Sequence, residues 1–193
     1  MDAPNPLVRR ALVFYAALLG VAVVWRVGFQ RESLLVASAA DAVHWLLDPL
    51  LGLAAGALVI WGSAELTARA RMGQTLARIL AEALGPLRLR DCLVLAASSG
   101  IAEEALFRGA LQPRVGLAWA SLLFAVAHLV PRRELLPWCV FALAAGFLLG
   151  GLYAATGNLV APVVAHVAIN AVNLRRLSRG FAARDPLGWS RSR

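Results

Sequence analysis

Residues 91–111 read DCLVLAASSGIAEEALFRGAL, an apolar run that keeps two adjacent carboxylates, Glu103 and Glu104, together with Arg108. A charge at the centre of a bilayer costs about 2.5 to 3.5 kcal/mol on insertion scales, so such groups face a polar interior and have a chemical task. Downstream, two histidines recur in equally apolar surroundings, His128 in FAVAH and His166 in HVAIN. The fold that this pattern predicts is an all-α bundle inside a membrane, with chemistry buried among its spans.

Composition agrees. The chain has 193 residues, 60% of them hydrophobic and 16% charged, with a mean hydropathy of +0.70, well above a soluble domain. Six stretches approach the roughly 20 residues needed to cross a hydrocarbon core: Ala11 to Trp25, Leu46 to Ser63, Cys92 to Leu111, Gly116 to Val130, Leu135 to Thr156 and Leu159 to Val172. Hydrophobicity is continuous rather than alternating, which argues against β-barrel spans. The first run lacks an Ala-x-Ala-like cleavage site, so it reads as a retained span. The net charge of +8 comes from arginine alone. Those arginines gather between apolar runs instead of forming one exposed face, which speaks against a nucleic-acid partner. Cys92 and Cys139 lie in separate spans without metal-like spacing and read as packing residues.

With six spans, Arg9 and Arg10, the set from Arg69 to Arg90, Arg132 with Arg133, and the arginines after Arg175 all fall on one side, leaving Arg26, Arg31 and Arg114 on the other. The positive-inside rule then places both termini in the cytoplasm, and all-arginine, alanine-rich usage suggests a bacterial inner membrane. Between spans two and three, Leu66, Met72, Leu76, Ile79, Leu80, Ala83 and Leu84 share one flank, predicting an amphipathic helix on the cytoplasmic surface. Gly52 and Gly56, and Ala142, Gly146 and Gly150, offer faces for close helix packing or are ordinary small filler. A single membrane domain results: residues 1–90 hold two spans and the surface helix, 91–174 a core, and 175–193 a mobile basic tail.

Residues four apart share a helical face and neighbours point about 100° apart, so Glu103 and Glu104 do different jobs. Glu104 lies one turn before Arg108 and is expected to pair with it structurally. Glu103 has Phe107 in that place and must find partners on other helices. A buried carboxylate without a cation is a better base, which makes Glu103 the catalytic candidate. Phe124 with His128, and His166 with Asn170, repeat the one-turn spacing. At about 1.5 Å per residue, Glu103 and His166 come out about 18 Å from the basic end, Asn170 about 12 Å and His128 about 10 Å, close enough to meet. His44, beside Trp45 and Asp48, is assigned no chemistry.

Taken in order, EEALFRG, FAVAH and HVAIN match the pattern EExxxR, FxxxH, HxxxN over roughly residues 91–174. In this the chain resembles the CPBP family of intramembrane endopeptidases, which includes Rce1-like CAAX-processing enzymes and bacterial Abi proteins. The resemblance implies a metal-independent glutamic peptidase acting on a membrane-anchored protein or peptide. It gives Glu103 and His128 the activation of water, His166 and Asn170 the oxyanion, and Glu104, Arg108 and Phe124 the support of the site. One variant resembles the myxosortase branch, which acts on C-terminal sorting tails.

Four other readings stay open. A zinc ion held by Glu103, His128 and His166 is conceivable, although no HExxH motif occurs. A serine nucleophile at Ser98 or Ser99 lacks the Gly-x-Ser-Gly context. The chain could be a non-enzymatic immunity or interaction protein, or a proton relay, against which the lack of an inverted repeat counts.

Overall fold

Asn5 opens the first helix by accepting a hydrogen bond from the Leu7 amide at 2.9 Å, and Pro6 supplies the preset φ of a first helical residue. In this computed structural model, which describes residues 5–37 and 43–184, the order is α1 (Pro6–Val23), α2 (Leu47–Arg69), α3 (Arg71–Leu84), α4 (Leu89–Glu104), α5 (Gln112–Ala127), α6 (Leu136–Thr156) and α7 (Val160–Arg184). Two wide π turns extend α1 over Val24–Phe29 and α4 over Ala105–Leu111, and a single 3-10 turn, Arg133–Leu135, leads into α6. The protein is all-α and built as an integral membrane protein.

Among the described residues, four helical stretches are long and apolar enough to cross a membrane: Pro6–Phe29, Leu47–Arg69, Leu89–Ala127 and Arg133–Thr156. The third, of 39 residues, folds back on itself at Gly116, where φ is 81° and only glycine sits without strain. The span expected from Gly116 to Val130 is thus the short return arm of one hairpin. Helix α7 has the length at 25 residues but not the apolarity, because Asn170, Asn173, Arg175, Arg176, Ser178 and Arg179 all lie on it.

Two boundaries differ from the sequence expectation. Leu66 and Arg69 belong to α2, whose end is set by the extended backbone of Ala70 (ψ 129°), so the surface helix is α3 alone. It packs on α2 and α7. The basic tail expected from residue 175 is instead helical to Arg184. The Ser178 hydroxyl explains why: buried at 3% exposure, it accepts from the Leu87 amide at 2.7 Å and sits 3.0 Å from the Leu87 carbonyl, tying α7 to the α3–α4 link. Residues 185–193 lie outside the described part.

Small residues set the closest approaches. A side chain at Gly52 would strike the Ala161 carbonyl, one at Gly56 would crowd Ala165, and one at Gly146 would press on Ser121. These positions are packing faces, of α2 on α7 and of α6 on α5. Cys92 is buried against Val8, Leu87 and Leu95, and Cys139 donates to the Ala125 carbonyl at 3.3 Å. Helix α4 packs along α1 and α7, whereas α5 packs along α6 and on the π turn, without extended packing between α4 and α5 among the described residues. The return arm therefore packs back on the π turn and ends level with the last turn of α4, where His128 meets Glu103.

At the end away from the main arginine clusters, Arg26 is 1% exposed. It pairs with Glu32 and donates to the Ser33 carbonyl at 3.0 Å, Gln30 Oε1 at 3.2 Å and the Ala37 carbonyl at 3.0 Å. Arg114 reaches the same Glu32 at 3.2 Å. Nearby, buried Asp48 accepts from the His44 amide at 2.9 Å and from Asn158 Nδ2 at 2.7 Å. His44 thus contributes its backbone to this knot.

Candidate active site

The final turn of α4 brings Glu103 and Glu104 to the point where α7 brings His166 and the end of α5 brings His128. Glu104 and Arg108 are buried at 0% and 1% exposure and joined by Nη1 to Oε1 at 2.8 Å. Arg108 also donates Nη2 to the Gly146 carbonyl at 3.1 Å and lies 4.5 Å over the Phe124 ring. The arginine stands inside the π turn Ala105–Leu111, a wide turn of the kind often found at functional sites.

A second partner of Glu104 was not legible in the sequence: His166 Nδ1 lies 2.6 Å from the same Oε1. A carboxylate already paired with a guanidinium only accepts, so Nδ1 carries the proton and donates. That leaves Nε2 of His166 facing the other carboxylate, 4.0 Å from Glu103 Oε2.

His128 approaches the same oxygen, with Nε2 at 3.8 Å from Glu103 Oε2. Its Nδ1 lies 2.8 Å from the Phe124 carbonyl; a carbonyl cannot donate, so this nitrogen holds the proton and, in the neutral ring, Nε2 is a bare acceptor. Phe124 sits between the two imidazoles, 4.6 Å from His128 and 6.0 Å from His166 between ring centres, and edge-on to Phe107 at 5.1 Å. Trp138 of α6 covers the outer side of His128 at 6.2 Å. Glu103 Oε2 and Glu104 Oε2 are buried without a protein hydrogen-bond partner.

Asn170, one turn beyond His166, donates Nδ2 to Ser99 Oγ at 2.9 Å. Ser99 in turn donates to the Ala96 carbonyl at 3.2 Å and Ser98 to the Leu95 carbonyl at 3.1 Å, so both hydroxyls serve their own helix. Ser99 lies one turn before Glu103, so spacing alone could place it beside the site, while its bond to Asn170 depends on how α4 and α7 pack.

Nε2 of His166 and Nε2 of His128 thus both approach Glu103 Oε2. Among the described residues no three His, Cys, Asp or Glu side chains are arranged to hold a metal ion.

Residues 86–172 match the family model described as type II CAAX prenyl endopeptidase Rce1-like, which bears out the resemblance carried by the motifs. Over 73 residues the chain is 51% identical to the uncharacterized protein YpbD of Bacillus subtilis (strain 168), an alignment covering 37% of each chain. The chain thus spans little more than a third of the length of that curated relative. No solved structure matches it. The matched segment begins just before α4 and ends within α7, so it contains Glu103, Glu104, Arg108, His128, His166 and Asn170 and leaves out α1, α2 and α3.

Proposed function

We propose that the chain is an intramembrane endopeptidase that hydrolyses a peptide bond of a membrane-anchored protein, with Glu103 as its base. The similarity of residues 86–172 to a family of endopeptidases supports the reaction class. The observation that carries the assignment is Glu103 Oε2, buried without a protein partner and lying 3.8 and 4.0 Å from two imidazoles. These separations are too long for direct hydrogen bonds and short enough for one water to reach both Glu103 and His128.

Such a water donates one proton towards Glu103 and the other towards the bare Nε2 of His128, which turns an oxygen lone pair to the scissile carbonyl. As the C–O bond forms, the water proton passes to Glu103 and the carbonyl oxygen gains the negative charge. His166 brings Nε2 to the same point, and Asn170 keeps a second amide N–H, beyond the one bonded to Ser99, to donate to that oxygen. Collapse breaks the C–N bond, and the proton held by Glu103 moves to the leaving amine. Glu104, paired with Arg108, fixes the ring of His166. We read the arginine-rich end as cytoplasmic and the substrate as cut near one end of its own span, the C-terminal sorting tail of an exported protein being one such case.

Membrane proteomes of cells carrying wild type and Glu103→Gln test this. Uncut precursors accumulate in the variant at normal protein level, and the termini missing from it locate the cut. Normal cleavage by well-expressed Glu103→Gln would remove the base. Loss of cleavage on chelation, restored by zinc, would replace this mechanism with a metal-dependent one.

A further inference from the structure

Helices α4 and α7 run antiparallel and are joined by polar contacts at three levels. At the arginine-rich end the Ser178 hydroxyl accepts from the Leu87 amide at 2.7 Å, and at the far end His166 meets Glu104 at 2.6 Å. Between them Asn170 Nδ2 donates to Ser99 Oγ at 2.9 Å. Gly100 lets the backbones close to this spacing, because a side chain there would come 2.7 Å from a Val167 methyl and 3.2 Å from the Val167 amide nitrogen. Ser99 lies one turn before Glu103 and Asn170 one turn after His166, so their bond forms a separate layer next to the reacting groups. Ser99 is buried at 4% exposure, whereas Asn170 is only half-buried.

We infer that Ser99 is a positioning residue for Asn170, its hydroxyl setting which end of the amide faces the scissile carbonyl. This rests on the reading of Asn170 as a donor to the oxyanion. A hydroxyl has one proton, and that of Ser99 goes to the Ala96 carbonyl at 3.2 Å, so towards Asn170 it can only accept. With the amide reversed, Oδ1 would oppose a lone pair across the same 2.9 Å, two acceptors facing each other inside the bundle. Ser99 therefore selects the orientation that brings Nδ2 inward. One of its protons is held by the serine, and the other is left for an oxygen that gains negative charge. A serine beside the base thus acts as a fixed acceptor and not as a nucleophile.

Ser99 could also serve only to pack α4 on α7, and Ser98 supplies the control: its hydroxyl bonds to the Leu95 carbonyl at 3.1 Å in the same manner but bonds to no other helix among the described residues. Turnover is that of a precursor that accumulates in cells lacking the protein, read per molecule of enzyme in native membranes. Ser99→Ala lowers it about tenfold, the size of one lost hydrogen bond, and Ser98→Ala leaves it unchanged. Asn170→Ala lowers it about a hundredfold or more. Adding Ser99→Ala to that variant brings no further loss, because the side chain it positions is gone. A loss by the same factor in both backgrounds assigns Ser99 to packing and overturns the inference, as does full turnover in Ser99→Ala. A second readout uses the full-length protein in detergent micelles, where the side-chain NH2 signals of Asn170 are those missing from the proton–nitrogen NMR spectrum of Asn170→Ala. They move in Ser99→Ala and stay in place in Ser98→Ala; unmoved signals in Ser99→Ala overturn the inference whatever turnover does. Full turnover in Asn170→Ala would instead sink the oxyanion reading, and the NMR comparison then decides by itself whether Ser99 orients the amide.

Discussion

Charge is buried in two places in this bundle, and the two are finished differently. In the knot around Arg26 every guanidinium nitrogen has a partner, from Glu32, Gln30 and the carbonyls of Ser33 and Ala37. Asp48 is likewise met by Asn158 and the His44 amide. In the cluster around Glu103 two carboxylate oxygens go without protein partners, and two imidazoles stop 3.8 and 4.0 Å short of one of them. Buried polar groups that are fully bonded stabilise a fold; groups held short of bonding keep capacity for a reactant. The first region closes the 30–37 segment onto the helices, and the second is where chemistry is expected.

The contrast can be broken most directly at Glu103. Glu103→Gln keeps the shape and removes the base, so turnover of precursors falls by about 10²- to 10⁴-fold, read by quantitative proteomics of membranes, while thermal stability in detergent stays as in wild type. A large loss of stability instead would move Glu103 into the structural class. Arg108→Ala should do the reverse. It leaves Glu104 buried without its cation, costs about 3 to 5 kcal/mol, and shows first as reduced abundance in membranes. Asn158→Ala at the other end removes the amide from Asp48 and costs about 1 to 3 kcal/mol in unfolding, with turnover per molecule unchanged; a change in specific turnover would show that the far end is not merely structural. The smallest effect belongs to Arg114→Ala. Half-exposed, it shares Glu32 with Arg26, and its loss should cost no more than about 1 kcal/mol by thermal denaturation.

What the sequence could tell follows from what is local. Apolar runs locate the helices because spanning is a matter of length and hydropathy, and the one-turn spacing of Glu104 and Arg108 is enough to pair them. The wide turn at Ala105–Leu111 has no side-chain signature, and the end of α7 was placed too early because Arg175, Arg176 and Arg179 read as a tail. Ser178 holds that segment through a bond to Leu87 which no local pattern reveals. Contacts between helices were also out of reach: His166 on Glu104 depends on neighbour order, to which close approaches at Gly52 and Gly56 contribute, and those letters read equally as packing faces or as filler.

Gly116 turns the chain so that His128, at the end of the return arm, comes back beside Glu103. On the proposed reaction, a membrane-anchored substrate would arrive as a helix, its carbonyls occupied by its own amides. Such a substrate would have to unravel before it could be cut. Where it is severed is then decided as much by where its own helix yields most easily, at a glycine, a proline or a frayed end, as by any side chain that greets it.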